Sequence, residues 1–561
     1  MECAALTNLR SELPGSLRAW PAFLWSRVLF RGDSGPARLA APSFLPLLTL
    51  LVLPAVLIYP CLSFHLLEPD ESRYAEIPRE MLQSGDLIVP VLQGEPYLDK
   101  PPLFYWLVAA SYRLFGISEA SARLPAALSV HGTILLVYLL GRRVLGARSA
   151  FVGALTLTLA PGFVAIGRLL ILDGLLTFWT TLALFALFEA LRGESLHRGW
   201  WLTAATACGF GVLTKGPIAL VLVAPPLWLH RRLTGRGCPI GGRALLAFAG
   251  VLLALTLPWY VALCYRIPGF LRYFFWEHHV VRYLSSFAHQ HGIWFYAPVL
   301  LLGLLPASLL TVPFVRFLGR NDDACHRPPE LGFHLLTGCW CVLFFSLSSC
   351  KLPTYVLPAL PSFALAFGHF LVHGRWRASR LPMCLGVATF GLLALVHLVA
   401  LPWYAAYRSP MSRPDDVRAF CADPTAPVVC YPRNCDSVSF YLRRADLRAY
   451  RSKDIEELRD LVRLHQRTII LCTHRHSLAA LDELLPPEVG ITTSSHFGLA
   501  DIPAVPRRWM KPLTKLMGET ALGLADIAVI ERLPPGQLRI IRHDNRARQD
   551  ADYFFPEGPS D

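Results

Sequence analysis

The sequence predicts a polytopic α-helical membrane protein that ends in a small soluble α/β domain. Of its 561 residues, 54% are hydrophobic and only 17% charged, where a soluble chain would carry about a quarter charged. Mean hydropathy is positive, +0.42. Apolar runs near the ~20 residues needed to cross a bilayer recur along the first 400 positions, so lipid is the solvent for most of the chain.

Hydropathy places eleven spans at 43–64, 124–140, 149–166, 171–191, 200–213, 216–230, 243–265, 294–317, 331–349, 352–373 and 381–402. The pair around 200–230 is short. Pro102 to Phe115 is apolar but shorter still and carries Arg113, so it is expected to lie along the interface or to re-enter. With the N-terminus inside, the inner connectors hold Arg142, Arg143 and Arg148, then Arg192 and Arg198, then Arg231, Arg232 and Arg236, then Arg320 and Arg327, then Arg375, Arg377 and Arg380. Every one is basic, as the positive-inside rule requires. The net charge of +13 has its source there. Basic residues that punctuate apolar spans form no single patch, which excludes nucleic acid as a partner.

The organisation that follows is an N-terminal cytoplasmic segment at 1–42, a transmembrane domain at 43–402 with a first outer loop at 65–123, and a soluble domain at 403–561. The first 40 residues are Arg-bearing, with one weak apolar patch from Trp20 to Phe30, and show no cleavable signal peptide. In the tail, the short apolar runs Val428-Val429 and Thr468 to Cys472 alternate with a helical pattern from Asp454 to His465. An odd number of spans puts this tail outside. The fourteen cysteines form no Cys-x-x-Cys pair. Those in apolar spans read as small core hydrophobes, and Cys430 with Cys435 could form a disulfide in an oxidising compartment.

Lysine usage points to chemistry. Of 53 Lys plus Arg only six are Lys, and the three in the membrane region, Lys100, Lys215 and Lys351, all fall on the outer side beside a chain breaker, in Lys-Pro-Pro, Lys-Gly-Pro and Lys-Leu-Pro. A compact ammonium on a flexible stem binds phosphate as a point charge. The bland alternative is three lysines snorkelling at span ends. The first outer loop adds Asp70, Glu71 and Arg73. On a helix Asp70, Arg73 and Tyr74 share a face, so a carboxylate could serve an attacking hydroxyl beside a guanidinium able to grip phosphate bidentately. A plain surface ion pair is the competing reading. Asp173 opens a long apolar span after Arg168, where a carboxylate also suits the helix dipole. Glu277-His278-His279 with Asp99 could bind a divalent cation, although adjacent histidines on a helix point to different faces. Several cations and a few acids on one outer face suit a lipid-linked phosphate.

The stretch from Asp70 to Leu128, together with GRLLILDGLLTFWTTLAL, LTKGPIAL, FFWEHHVVRYL and SSCKLPTYVLPALP, closely resembles the lipid A aminoarabinose transferases, within the dolichyl-phosphate-mannose protein mannosyltransferase superfamily of GT-C fold. The resemblance runs in order over about 65–360. It implies about thirteen transmembrane helices, against the eleven counted. It implies an undecaprenyl-phosphate-linked sugar donor, best 4-amino-4-deoxy-L-arabinose, and a lipid A acceptor at the periplasmic face of a bacterial inner membrane. It matches Asp70 to a first-loop acid, Asp173 to a second acid, and Arg73, Lys100 and Tyr355 to the carrier phosphate. It matches Asp99 and His279 to a metal pair, with His278 an alternative for the histidine. Asp70, Asp173 and Glu71 are therefore the expected catalytic acids. Arg73, Lys100, Tyr355, Lys215 and Lys351 are the expected phosphate-binding residues of an inverting transferase. Two alternatives stand beside this one. A related enzyme could move mannose or another sugar onto protein or glycan, since no residue discriminates sugars. A lipid-linked sugar flippase would favour repeated halves and midplane charges, which the sequence lacks.

Overall fold

The computed structural model describes residues 44–235, 237–285, 289–374, 380–409, 414–432, 436–444, 446–472, 477–496 and 526–534. The segment expected at 1–42 and Cys435 lie outside them. The chain divides into two compact units, one of 1–60, 126–168 and 172–395, the other of 61–125, 169–171 and 396–561.

The first unit is helical. Helices occupy all eleven expected positions: Phe44–Ile58, Glu119–Leu145, Ala147–Thr158 with Pro161–Val164, Asp173–Leu191, Arg198–Lys215, Ile218–Thr234, Gly242–Arg266, Tyr296–Gly303 with Thr311–Gly319, Pro329–Leu347, Leu360–His373 and Leu381–Leu395. Among the described residues, six are long and apolar enough to cross a membrane as single helices, and eight if two bent pairs each count as one span. The eleven counted from hydropathy and the thirteen or so implied by the resemblance, together the expected range of 11–13, exceed this number for a physical reason. Phe44–Ile58 is only 15 residues. The pair Arg198–Lys215 and Ile218–Thr234 is 18 and 17 residues long and carries charge at its ends. Two further spans are broken, by 68° after Thr158 and by 108° after Gly303.

Small residues let helices meet backbone to backbone. A Cβ on Gly368 would stand 2.3 Å from Gly153 N, so Leu360–His373 and Ala147–Thr158 touch through these two glycines. Asp173–Leu191 packs against Arg198–Lys215, Ile218–Thr234 and the 3-10 turn Pro353–Ala359, and this carries the ends of four segments to one place. Fully buried Arg168 has a structural task here. It donates to the carbonyls of Leu57, Ile58 and Pro60 and so satisfies acceptors that the end of Phe44–Ile58 leaves open.

The second unit joins the first outer loop to the tail. The loop holds the helix Asp70–Ser84, an antiparallel pair β1 (Val91–Leu92) and β2 (Glu95–Pro96), and the helix Leu103–Phe115. At 13 residues this last helix is too short to span. The tail is α/β, as expected. Strands β3 (Val428–Tyr431), β4 (Arg448–Ala449), β5 (Arg467–Cys472), β6 (Val489–His496) and β7 (Asp526–Arg532) form one sheet in the order β4-β3-β5-β7-β6. β3 runs parallel to β4 and β5, and β7 antiparallel to β5 and β6. Val428, Cys430, Ile469 and Leu471 face one apolar layer, and Val429, Tyr431, Ile470 and Cys472 the other, so the central strands are buried on both sides. Cys430 is a buried free thiol.

Candidate active site

The expected site residues fall into two clusters, one in each unit. In the helical unit, Asp173 is the first residue of its helix and Lys215 the last of the next. The glycine after Lys215 turns the chain at φ +81°, where a Cβ would meet His279 Nε2 at 2.8 Å, and only glycine accepts both constraints. Lys215 Nζ donates to Asp173 Oδ1 at 2.5 Å and stands 4.4 Å from the centroid of the Tyr355 ring. The ammonium is thus held between a carboxylate and an aromatic face. Tyr355 lies in the turn Pro353–Ala359. Beside that turn, buried Lys351 donates through Nζ to the Ser348 carbonyl, and among the described residues no carboxylate pairs with it. A buried ammonium without a counter-charge is costly, and an anionic ligand would relieve that cost.

His279 lies on a π-helical stretch, Arg272–Val281. Its Nδ1 is 2.6 Å from the Phe274 carbonyl and its Nε2 3.4 Å from the Lys215 carbonyl, so both ring nitrogens face acceptor oxygens. Glu277 is half-exposed and pairs with Arg272 at 3.6 Å. Among the described residues no group of three or more His, Cys, Asp or Glu could hold a metal ion. Asp99 lies in the second unit and His278 and His279 in the first, and the transfer chemistry is derived without a metal.

In the second unit, the helix Asp70–Ser84 is ordered as its face pattern predicts. Tyr74 turns inward against Phe104 and Tyr105. Arg73 Nε donates to Asp436 Oδ2 at 3.0 Å, with the arginine side chain 30% exposed and the aspartate fully buried. Burial opposes the charge on Arg73, but Asp436, Tyr97 and Asp70 outweigh it and raise its pKa. Tyr97 feels Asp99, Arg73 and Asp70. Lys100 donates to the carbonyl of Asp99. Asp70, Arg73, Tyr97 and Asp99 thus bear on one another.

Glu71, expected among the catalytic acids, is spoken for. Its two oxygens accept from Arg123 Nε and Nη2 at 2.8 and 2.7 Å and from the backbone N–H groups of Leu67 and Leu170 at 2.9 and 2.7 Å. Arg123 also donates to the Leu62, Phe64 and His65 carbonyls and lies over the Phe64 ring. This buried fork closes the loop on itself and commits both Glu71 oxygens to hydrogen bonds within the unit. Sequence reasoning missed Arg123, Tyr97 and Asp436. Asp436 lies 363 residues from its partner, and no local pattern marks it.

A family model described as dolichyl-phosphate-mannose-protein mannosyltransferase matches residues 44–274. An undecaprenyl phosphate-alpha-4-amino-4-deoxy-L-arabinose arabinosyl transferase of Pseudomonas fluorescens is 35% identical over 393 residues, covering 68% of this chain and 66% of the relative. The chain is homologous to these transferases. A second relative of the same description, from Pseudomonas savastanoi pv. phaseolicola, is 39% identical over 361 residues, 60% of this chain and 64% of its own length. The chain spans a little under two thirds of the length of these curated relatives. In fold it is similar to the crystal structure of ArnT from Cupriavidus metallidurans bound to undecaprenyl phosphate, with a TM-score of 0.68, 23% identity, and coverage of 80% of this chain and 95% of that one.

Proposed function

We propose that the protein is an inverting glycosyltransferase of a bacterial inner membrane. It moves 4-amino-4-deoxy-L-arabinose from undecaprenyl phosphate to lipid A at the periplasmic face. The observation that carries this reading is the 35% identity over 393 residues to a transferase named for that donor. An acceptor oxygen attacks the anomeric carbon, the bond from that carbon to the carrier phosphate oxygen breaks, and undecaprenyl phosphate leaves with the electron pair. An acceptor that is already a phosphate anion has no proton to lose, so Asp70 orients it instead of acting as a base. The leaving phosphate gains charge as the bond breaks, and ammonium and guanidinium groups placed in advance stabilise that charge. Arg73 and Lys100 on the first loop and Lys215 and Lys351 in the helical unit are assigned this task. Asp173 holds Lys215 in place against Tyr355 until the anion arrives.

The test is transfer by purified protein in liposomes with undecaprenyl-phosphate-linked aminoarabinose and lipid A. Lys215→Ala is expected to lower turnover by about 100-fold, the loss usual for one transition-state donor, with insertion unchanged. Full activity of that variant overturns the assignment. The family model matching 44–274 favours one second reading, a hexose donor. Mass spectrometry of lipid A and glycoproteins from cells with and without the gene separates the two. Asp99 and the histidines are tested by dialysis against a chelator, where loss of transfer restored by a divalent ion would assign them a cation.

A further inference from the structure

Among the described residues of the tail, Asp436 is the one fully buried ionisable side chain of acidic or basic type. It is the first residue of the short helix Asp436–Leu442, and that helix meets the first loop at several points. Asp436 Oδ2 accepts from Arg73 Nε, and Oδ1 accepts from Gln93 Nε2 at 3.2 Å. Gln93 Nε2 also reaches Ser439 Oγ at 3.2 Å. The Ser437 N–H donates to Glu68 Oε1 at 2.7 Å, and the Leu66 N–H to Tyr441 Oη at 3.0 Å.

We infer that Asp436 is a positioning residue for the transfer reaction, through which the soluble domain presets the Arg73 guanidinium for the carrier phosphate. This rests on the reading that Arg73 meets that phosphate. Arginine is a long side chain, and a free one must lose its rotamer freedom when it grips an anion. Arg73 has lost it already. The hydrogen bond to Asp436 is made by Nε and Tyr97 also bonds the guanidinium, which with five N–H donors has others to offer a second anion. Gln93 fixes the other carboxylate oxygen, so Asp436 cannot turn to follow Arg73. The carboxylate also opposes a phosphate electrostatically, and this makes the sign of the effect a real test. A fixed guanidinium speeds transfer, whereas a dominant competing carboxylate would slow it.

The experiment is a double-mutant cycle in the full-length protein. Asp436→Asn keeps the shape and removes the charge. It is expected to lower kcat/KM for the donor about tenfold, leave the acceptor KM unchanged, and add less than twofold in an Arg73→Ala background. Equal losses in both backgrounds, no loss, or a gain overturns the inference. Gln93→Met, which frees one carboxylate oxygen without touching Arg73, is expected to act in the same direction and more weakly, and guards against misfolding of the first variant. Equilibrium binding of undecaprenyl phosphate gives the same cycle whichever sugar is carried. If Arg73→Ala transfers normally, the assignment of Arg73 has failed and the inference falls with it. If Arg73→Ala is impaired and Asp436→Asn is not, the inference alone has failed.

Discussion

Glu68 and Asp436 are two acids brought together where the first loop meets the tail. Burial, then the neighbouring Asp436 charge, raises the Glu68 carboxyl from 4.5 to about 7, against the pull of hydrogen bonds from Ser437 and Ser72. Burial likewise raises Asp436, which Arg73 draws down and Asp70 pushes up. A carboxyl whose pKa is higher folded than unfolded stabilises the fold when protonated. The Glu68 contribution is full below about pH 4.5 and is lost as pH rises through about 7. Hydrogen-exchange protection of the helix Asp436–Leu442, corrected for intrinsic rates, is therefore expected to fall between about pH 4.5 and 7 and to level off above that, and Glu68→Gln to flatten that dependence. An unchanged slope in the variant would exclude Glu68 as its source. Legibility at this scale was uneven. Lys215 and Lys351 stood out because the chain otherwise uses arginine, and a rare residue type beside a proline needs no fold to be noticed. Asp436 is one acid among many in a polar tail. Its importance comes from a partner on a distant loop, which no window of sequence contains.

Elements show the same division. Each expected span is a helix because a bilayer demands long apolar runs, and such runs are visible without a fold. The breaks after Thr158 and Gly303 and the packing of Gly153 on Gly368 depend on neighbours and were not legible. Glu71 shows how far a motif alone can mislead. Adjacent acids at a membrane boundary suggested chemistry for both, yet one is saturated by Arg123, 52 residues away, and by two backbone amides. Removing one partner of a buried, hydrogen-bonded pair strands the other charge and costs about 3–5 kcal/mol. Glu71→Ala is expected to lower the thermal unfolding temperature sharply. Asp70→Asn, one position earlier, is expected to abolish transfer at an unchanged unfolding temperature. A stable, inactive Glu71→Ala would return Glu71 to the catalytic acids.

At the scale of the molecule, the contact of Arg73 with Asp436 bears on a question of sidedness that charge bias leaves open for a long tail. Two segments that share an ion pair within one folded unit lie on one side of the membrane, so the chain is expected to cross an even number of times between residues 123 and 403. The ten helical positions in that interval satisfy this if every one crosses, the short pair included. Single cysteines at Asp86 and Lys453, in a protein whose other exposed cysteines are serine, are expected to react with an impermeant thiol reagent from the same side, and one at Arg148 from the other. Labelling of Asp86→Cys and Lys453→Cys from opposite sides would refute the shared unit. That shared unit also governs how the polypeptide can be divided. Residues 61–125 and the described residues of 396–534 are far apart in the gene yet belong to one compact unit, so trimming the tail amputates half of a fold and leaves the loop's polar face uncovered. A cut in the connector at 374–380 is different. Two separately expressed pieces parted there would each retain a surface the other needs, and co-expression should restore what neither piece has alone.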